Sequence, residues 1–364
     1  MQVETFKLEK WINENSTIAQ YDFSTTCVKA LSLKELASIC DFDFEKMSQI
    51  PLNYGQLYGT DALKSAICNL YAHQKHENLT VTLGGIGANQ LAIQTLVEKG
   101  DKVVCICPCY QQAYSLPKFY GANVQLVFLN SKDWSLNIEN FKSVVGTDTK
   151  LICLTNPNNP TGTILKELNE IIEVAKSCDA YVLADEVYRG LSHDGNPYTK
   201  SVADLYEKGI STGSMSKAYS LAGIRLGWIC ANVELIKKIN SNREYNTISV
   251  SALDDFVATV ALNNHEKIVA RNLKIIKKNK KILSDFINST EKLSWVKPNA
   301  GSIACVNYDF NISSTDFCAK MQKEVGFLSI PAQCFDMNEK FFRIGYGLEE
   351  KNLQEVLGKF YDAL

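Results

Sequence analysis

Apolar and polar positions follow two alternating periods along the middle of the chain. Short apolar runs bounded by turn residues, which are typical of strands, are DKVVCICPC, NVQLVFLN, TKLICLTNPNNP and AYVLADEVY. Apolar residues have helical spacing in DALKSAICNLYAHQ and ELNEIIEVAKSC, and LTVTLGGIGANQLAIQTLVEKG combines a strand, a glycine-rich turn and a helix capped by its last glycine. This succession predicts βαβ units, and therefore an α/β fold with a mainly parallel, doubly wound sheet covered by helices on both faces.

From about Val233 onward the pattern changes to long, lysine-rich amphipathic helices such as HEKIVARNLKIIKKNKKILSDFI, followed by short strands and a final helix. This change predicts a second, smaller α+β domain. We expect a large domain over residues 45–245 and a small domain that combines residues 1–44 with 246–364. The N-terminal segment is expected to join the sheet of the small domain.

Composition and charge exclude several classes of protein. The 364 residues carry 38 Lys and Arg against 40 Asp and Glu, so the net charge of −2 offers no electrostatic footprint for nucleic acid or an anionic membrane. No apolar run reaches the length of about 18 residues that a membrane span needs, and the opening MQVETFKLEKW has no apolar leader region. We therefore expect a cytoplasmic protein with no nucleic-acid or membrane partner.

The twelve cysteines fit the same compartment. Cys105, Cys107 and Cys109 alternate at strand spacing, which would direct their sulfurs to one side of a strand. Zinc sites favour C-x₂₋₄-C pairs instead. We expect these cysteines to be buried, small apolar residues, and we expect no metal site.

Several polar clusters follow directly after predicted strands: GGIGAN, PCY, NPNNPTG, DEVY and SMSK. Because ligands of doubly wound sheets bind outside the carboxyl ends of the strands, these clusters predict one shared site. GGIGAN offers backbone N–H groups for a phosphate, but no GK[ST] follows it, and Gln90 stands where a dinucleotide fingerprint needs a third glycine. Taken alone, this cluster is more often a tight turn than a ligand site.

Two charged residues in these clusters suggest a specific chemistry. Lys217 lies among hydroxyls and glycines in STGSMSKAYSLAGIRLG, and its amine could form a Schiff base with a carbonyl ligand while the hydroxyls and Arg225 hold a phosphate. Asp185 ends an apolar strand, where a carboxylate needs a partner. That partner could be a pyridinium N–H or a salt bridge to a neighbouring loop.

Together the clusters resemble the fold-type-I pyridoxal phosphate (PLP) enzymes of the class I/II aminotransferase family, in family order from about Asn53 to Arg343. The signature S-x-S-K-x₅–₆-G-x-R-x-G is matched by Ser214, Ser216, Lys217, Gly223, Arg225 and Gly227. N-P-T-G is matched by Asn159, Pro160, Thr161 and Gly162, and D-E-x-Y by Asp185, Glu186 and Tyr188. The resemblance implies the PLP-dependent transferase fold type I, PLP as cofactor, an L-amino acid as substrate, and a homodimer.

The resemblance also implies roles for individual residues. Lys217 is the catalytic residue, which holds PLP as a Schiff base and moves the Cα proton, and Asp185 keeps the pyridine nitrogen protonated. The other implied cofactor-binding residues are Asn159 and Tyr188 at the phenolic oxygen, Tyr110 on the ring face, Gly85, Ile86, Gly87, Ser214, Ser216 and Arg225 at the phosphate, and Tyr54 reaching the phosphate from the partner subunit. Arg343, in KFFRIGYG, binds the substrate carboxylate, and Asn159 also contacts substrate.

One segment departs from the family pattern. Family members begin with I-x-L-x-x-G-x-P, whereas the corresponding YDFSTTCVKALSLKEL has neither glycine nor proline. LEKWI, DFSTT and GGIGAN are closer to a side branch that contains capreomycidine synthase. That branch includes enzymes that act on arginine or hydroxyarginine by elimination and cyclisation rather than amino transfer. Glu9 and Asp22, with Thr25 as a hydroxyl partner, could hold such a guanidinium, although Glu9 could equally lie on a solvated helix face.

The sequence therefore favours a PLP-dependent aminotransferase, with a PLP-dependent cyclase or eliminase as the alternative. A third possibility is a non-catalytic, PLP-binding regulator. Regulators of that type carry an N-terminal DNA-binding domain, for which this chain offers neither length nor charge.

Overall fold

The computed structural model describes residues 3–363. Its strands are β1 (Tyr21–Asp22), β2 (Leu79–Leu83), β3 (Lys102–Cys107), β4 (Asn123–Phe128), β5 (Thr149–Thr155), β6 (Tyr181–Asp185), β7 (Gly209–Ser214), β8 (Leu226–Cys230), β9 (Leu293–Trp295), β10 (Ile303–Tyr308), β11 (Phe327–Leu328), β12 (Ile330–Pro331) and β13 (Phe341–Gly345). Its α-helices are α1 (Lys7–Asn15), α2 (Leu33–Ile39), α3 (Phe44–Ser48), α4 (Asp61–Cys68), α5 (Gly84–Leu96), α6 (Gln112–Phe119), α7 (Ile138–Val144), α8 (Leu168–Ser177), α9 (Val202–Leu205), α10 (Val233–Arg243), α11 (Ala252–Asn263), α12 (His265–Asn288), α13 (Ser314–Val325) and α14 (Glu350–Ala363).

Within the described residues, seven strands form one sheet in the order β2-β8-β7-β6-β5-β3-β4. Neighbouring strands run parallel from β7 to β4, and β8 runs antiparallel to both β2 and β7. The predicted α/β fold with a mainly parallel, doubly wound sheet is confirmed.

Alternate side chains of β3 pack on opposite faces of this sheet. Cys105 and Cys107 belong to the apolar core on the α5 side, whereas Val104 and Ile106 pack with Ile171 of α8 on the other side. All of these side chains are buried, as is Cys109. The cysteines of this run are thus small core residues, as their spacing predicted.

The later part of the chain forms a second, antiparallel sheet, which in the described chain has the order β12-β13-β10-β9. The N-terminal segment joins this part of the molecule, but through a separate parallel pairing of β1 with β11 rather than as a further strand of the four-stranded sheet. The division into residues 45–245 and 1–44 with 246–364 remains a prediction. No helix among residues 3–363 combines the length and apolarity that a bilayer span requires.

Two local expectations around GGIGAN were wrong. The segment is not a turn before the helix but its beginning, because α5 starts at Gly84, which itself adopts the positive φ of +72° that makes the turn. The closing glycine does not cap α5 either. The helix ends at Leu96 because Val97 is already extended, and Gly100 makes the separate turn into β3.

Residues 21–29 are bound to the second sheet along most of their length. The N–H of Gly345 donates to the carbonyl of Phe23 at 2.8 Å, and the N–H of Lys29 donates to the carbonyl of Gly347 at 2.7 Å. A Cβ on Gly345 would lie 1.8 Å from the carbonyl oxygen of Thr25. The glycine therefore allows a close approach of two backbones that no other residue would permit.

We predict that Gly345→Ala lowers the free energy of unfolding by about 1–3 kcal/mol, because its methyl group forces the 21–29 segment away from β13. Gly358→Ala is the matched control, since its added Cβ meets no atom within 4 Å inside α14. That change should raise stability by about 0.5–1 kcal/mol through helix propensity. Urea unfolding of both variants measures the difference, and equal stabilities would contradict the packing argument.

Candidate active site

A cavity of about 430 Å³ opens at the carboxyl ends of β5, β6 and β7. Most of the site residues predicted from the sequence line it: Glu9, Thr25, Gly85, Ile86, Tyr110, Asn159, Asp185, Tyr188, Ser214, Ser216, Lys217, Arg225 and Arg343. Asp22 lines it as well. Polar clusters that are far apart in the sequence thus meet at one edge of the sheet, as doubly wound topology requires.

Two of the predicted residues lie elsewhere. Gly87 belongs to the first turn of α5 but is not part of the cavity wall. Tyr54 is 76% exposed on the surface, where it forms an isolated β-bridge with Ser251. Its implied role in a partner's site therefore stays a prediction.

Lys217 follows the end of β7 and directs its amine into the cavity. Its Nζ donates to Thr26 Oγ1 at 2.6 Å and contacts Cys27 Sγ at 3.4 Å, so its hydrogen-bond partners in the described chain include no carboxylate. Burial lowers the pKa of Lys217, whereas its electrostatic interactions with the neighbouring Tyr188 and Cys27 raise it, and the net shift is upward.

Asp185, at the end of β6, has neutral hydrogen-bond donors. Asn89 Nδ2 donates to Oδ2 at 2.8 Å, and the N–H of Val187 donates to Oδ1 at 3.2 Å. Thr212 Oγ1 donates to Asn89 Oδ1 at 2.7 Å, which fixes the orientation of that amide. Burial raises the pKa of Asp185, while these donors and the charge on Lys217 oppose the rise. The alternative salt bridge to a neighbouring loop does not form among residues 3–363, so the carboxylate is left to pair with a cationic N–H of a ligand.

Ser214, Ser216 and Arg225 surround the beginning of α5. Leu83 provides no side-chain cap there, so the first N–H groups of the helix have no partner from that residue. Ser214 Oγ donates to Ser216 Oγ at 2.9 Å, and Arg225 Nη1 lies 3.5 Å from Ser216 Oγ. Hydroxyls, a guanidinium and a helix N-terminus together suit a phosphate group.

Gly84 makes this arrangement possible. A Cβ at Gly84 would lie only 2.6 Å from Arg225 Nη2, and the residue has a φ of +72°. Only glycine allows both the turn and the approach of the guanidinium to the helix.

Arg343 is a buried cation, 1% exposed, in the middle of β13. Nη1 donates to Asn159 Oδ1 at 3.0 Å, Nη2 donates to the carbonyl of Ser24, and Nε has no partner. These contacts, drawn from the described part of the chain, include no carboxylate. Burial lowers the pKa of Arg343. A buried guanidinium without a counter-ion is costly, and a bidentate carboxylate ligand in the cavity would balance it.

Tyr110 and Glu9 connect two distant parts of the chain. Tyr110 follows β3, and its hydroxyl donates to Glu9 Oε1 on α1 at 2.7 Å. Burial first, and then this carboxylate, raise the pKa of Tyr110. Glu9 therefore faces the cavity, and its alternative place on a solvated helix face is wrong.

Sequence reasoning missed Asn89 and Thr26, both of which contact the charged groups of the site. Asn89 had a usable signal, because it lies in GGIGAN on a helix that packs on the sheet next to Asp185. Thr26 had none, because its contact with Lys217 depends on how the 21–29 segment crosses from the second sheet.

Comparisons with known proteins show the family and the fold of the chain. The family model for aminotransferase class I and II matches residues 15–360. Capreomycidine synthase of Streptomyces vinaceus is 25% identical over 363 residues, covering 98% of this chain and 93% of that protein. Aspartate aminotransferase of Sulfolobus acidocaldarius is 27% identical over 326 residues, covering 83% of this chain and 80% of that protein.

Among solved structures, a PLP-dependent aminotransferase from Streptococcus suis superposes with a TM-score of 0.96 at 34% identity, covering 100% of this chain and 98% of that one. The fold is therefore the type I fold of PLP-dependent transferases, as the motifs implied. Because the family model spans nearly the whole chain, the protein belongs to the class I and II aminotransferase family.

Proposed function

We propose that the protein is a PLP-dependent aminotransferase that acts on an L-amino acid through a Schiff base on Lys217. The observation that carries this proposal is the meeting of two basic side chains, Lys217 and Arg343, in one cavity where neither is hydrogen-bonded to a carboxylate of the described chain. A lysine placed in this way can engage an aldehyde, and the arginine can engage the carboxylate of an amino acid.

The residues present fit the cofactor at three points. The uncapped start of α5 with Ser214, Ser216 and Arg225 suits the phosphate, Asp185 suits the pyridine nitrogen, and Lys217 suits the aldehyde. When bound, PLP supplies an electron sink that stabilises negative charge at the substrate Cα.

Side chains of the protein would bind the substrate, orient the cofactor and carry the proton. Arg343 would bind the substrate carboxylate with its two outer nitrogens, and Asn159 would hold that guanidinium in place through its amide oxygen. Tyr188 and Asn159 would contact the phenolic oxygen of the cofactor, and Tyr110 would lie against its ring. Lys217 would carry the proton removed from the substrate Cα.

The charge of the cavity supports a substrate with a cationic side chain. Of the described residues that line it, the cations are Lys217, Arg225 and Arg343, which the cofactor and the substrate carboxylate would engage. Glu9 uses one carboxylate oxygen for Tyr110, and Asp22 uses one for Ser24, so each has a second oxygen left for a ligand. These two carboxylates favour arginine or a hydroxyarginine as substrate.

The same observation supports the second candidate, a PLP-dependent cyclase or eliminase of the kind to which capreomycidine synthase is related. In both reactions Lys217 would accept the Cα proton. The two would differ in their products: an aminotransferase would release a keto acid and need a second keto acid as amino acceptor, whereas a cyclase would release a cyclic product and need no acceptor.

A homodimer is also proposed, on the basis of an exposed apolar patch. Large apolar side chains are exposed on two segments that the bridge between Tyr54 and Ser251 holds together, namely Leu52, Tyr54, Leu57, Tyr245 and Ile248. A patch of this kind marks a protein interface. A second copy of the chain would cover it and receive Tyr54 at its own phosphate site.

We predict that borohydride reduction of the yellow holoprotein fixes the cofactor covalently on Lys217, and that Lys217→Ala abolishes both the attachment and turnover, because no other described side chain of the cavity carries a primary amine. Peptide mass spectrometry locates the label. Lys237→Ala, on the exposed side of α10, is the control and should behave as wild type. Label recovered on any other lysine contradicts the assignment.

We predict that Glu9→Gln slows the reaction with L-arginine about tenfold or more but leaves that with L-methionine nearly unchanged, because only the cationic side chain loses a charge-assisted hydrogen bond. The amide still accepts from Tyr110. Cofactor conversion without any keto acid is followed spectroscopically, with Glu14→Gln on α1 as control. An equal loss with both amino acids would show that Glu9 acts on the cofactor rather than on substrate charge.

The products of the same mixtures distinguish the two candidate reactions. One equivalent of pyridoxamine phosphate and one of keto acid support the aminotransferase. Repeated turnover of arginine or a hydroxyarginine to a cyclic product, with PLP retained, overturns it in favour of the cyclase.

For the dimer, we predict that mixing Tyr54→Phe with Lys217→Ala protein, under verified subunit exchange, restores activity above the average of the two. A hybrid dimer then has one complete site, made of Lys217 from one subunit and Tyr54 from the other, which gives up to about a quarter of the wild-type sites. Steady-state activity against the unmixed variants measures this gain. Activity equal to the average would indicate self-contained subunits.

A further inference from the structure

Thr26 lies directly against the amine of Lys217, within the segment that lacks the glycine and proline of the family pattern. Its hydroxyl accepts from Lys217 Nζ at 2.6 Å, and the residue is 9% exposed on the wall of the cavity. The nearby Cys27 thiol is 3.4 Å from the same amine and is a weaker acceptor. The hydroxyl of Thr26 is therefore the main partner of the free amine.

Tyr188 lines the same cavity as Thr26 and Lys217. Burial raises the pKa of Tyr188, and the charge on Lys217 and the hydroxyl of Thr26 partly oppose that rise. The contact that the geometry shows is the one between Thr26 and the amine of Lys217.

The backbone holds Thr26 firmly in place. Ser302 Oγ donates to its carbonyl at 2.8 Å, and the flanking residues Phe23 and Lys29 are hydrogen-bonded to Gly345 and Gly347. A β-branched side chain adds stiffness at χ1. Lys217, in contrast, carries its amine on a flexible four-carbon stem. The Thr26 hydroxyl is therefore the fixed partner of this hydrogen bond, and the Lys217 amine is the mobile one.

We propose that Thr26 is a positioning residue that holds the Lys217 amine, once it is free of the cofactor, where it can exchange a proton with the substrate Cα. This inference rests on the proposed function, in which Lys217 is released from the cofactor when substrate binds. Holding the amine in one place removes orientations from which no proton can be transferred, so the hydroxyl accelerates that step without touching substrate.

The test compares Thr26→Val, which keeps the shape and removes the acceptor, with Thr26→Ser, which keeps the acceptor. Thr259→Val is the matched control, because that hydroxyl bonds only to a backbone carbonyl within α11. Exchange of the Cα proton in D₂O is followed by NMR with holoenzyme. The probes are the proteinogenic L-amino acids and hydroxyarginines, and the one that the wild type exchanges fastest is used for the variants.

We expect Thr26→Val to slow exchange about ten- to a hundred-fold, the range of one hydrogen bond to a charged group. Thr26→Ser should stay within about threefold of wild type, and Thr259→Val should be unchanged. With the same amino acid deuterated at Cα, the primary isotope effect should rise in Thr26→Val, because proton transfer becomes more rate-limiting. PLP content should not change.

Other outcomes overturn the proposal. Exchange in Thr26→Val equal to that of Thr259→Val would show that the hydroxyl does not position the amine, and Thr26→Ser as slow as Thr26→Val would show that the acceptor is not what matters. Loss of PLP with normal exchange per bound cofactor would assign Thr26 to cofactor retention. A wild type that binds PLP at no lysine, or exchanges no probe, overturns the proposed function itself and this inference with it.

Discussion

The site depends on two basic side chains that line one cavity, Lys217 and Arg343, and that make no direct ion pair with a carboxylate of the described chain. Arg343 is almost fully buried, and its described partners are an amide oxygen and a backbone carbonyl, while Lys217 has a hydroxyl and a thiol. Removing a cation from water without a counter-ion costs several kcal/mol, and a protein tolerates that cost where a ligand supplies the missing charge. Under the proposed function, the aldehyde of the cofactor would engage Lys217 and the carboxylate of the substrate would engage Arg343.

Lys217 and Arg343 are positioned by different sheets. Lys217 follows β7 of the parallel sheet, whereas Arg343 lies in β13 of the antiparallel sheet. The 21–29 segment connects them, since the carbonyl of Ser24 accepts from Arg343 and the hydroxyl of Thr26 accepts from Lys217. Gly345 lets this segment lie against β13. A small shift of the segment would therefore disturb both charged groups together.

Much of the fold and of the cofactor site could be predicted from the sequence for a topological reason. Polar residues that end parallel strands, such as Asp185 and Asn159, must meet at one edge of the sheet, so their position follows from periodicity alone. Glu9 reaches the cavity from α1 and Thr26 from the 21–29 segment, and no periodicity predicts their contacts. The predicted start and end of α5 were wrong because they depend on the backbone conformation of single residues. Gly84 has a positive φ and Val97 is extended, and the spacing of apolar residues predicts neither.

The division of the site between the parallel sheet and the N-terminal part of the chain also bears on its chemistry. Groups suited to the cofactor lie on or next to β6, β7 and α5, whereas the acidic groups Glu9 and Asp22 come from the N-terminal part of the chain. Tyr110 joins the two, because it lies beside the cofactor groups and donates to Glu9. A cationic substrate side chain that engages the second oxygen of Glu9 would weaken the hold of Glu9 on Tyr110. Under the proposed function, in which Tyr110 lies against the cofactor ring, a substrate charge at Glu9 would therefore also affect Tyr110, and the N-terminal part of the chain would influence which amino acid binds.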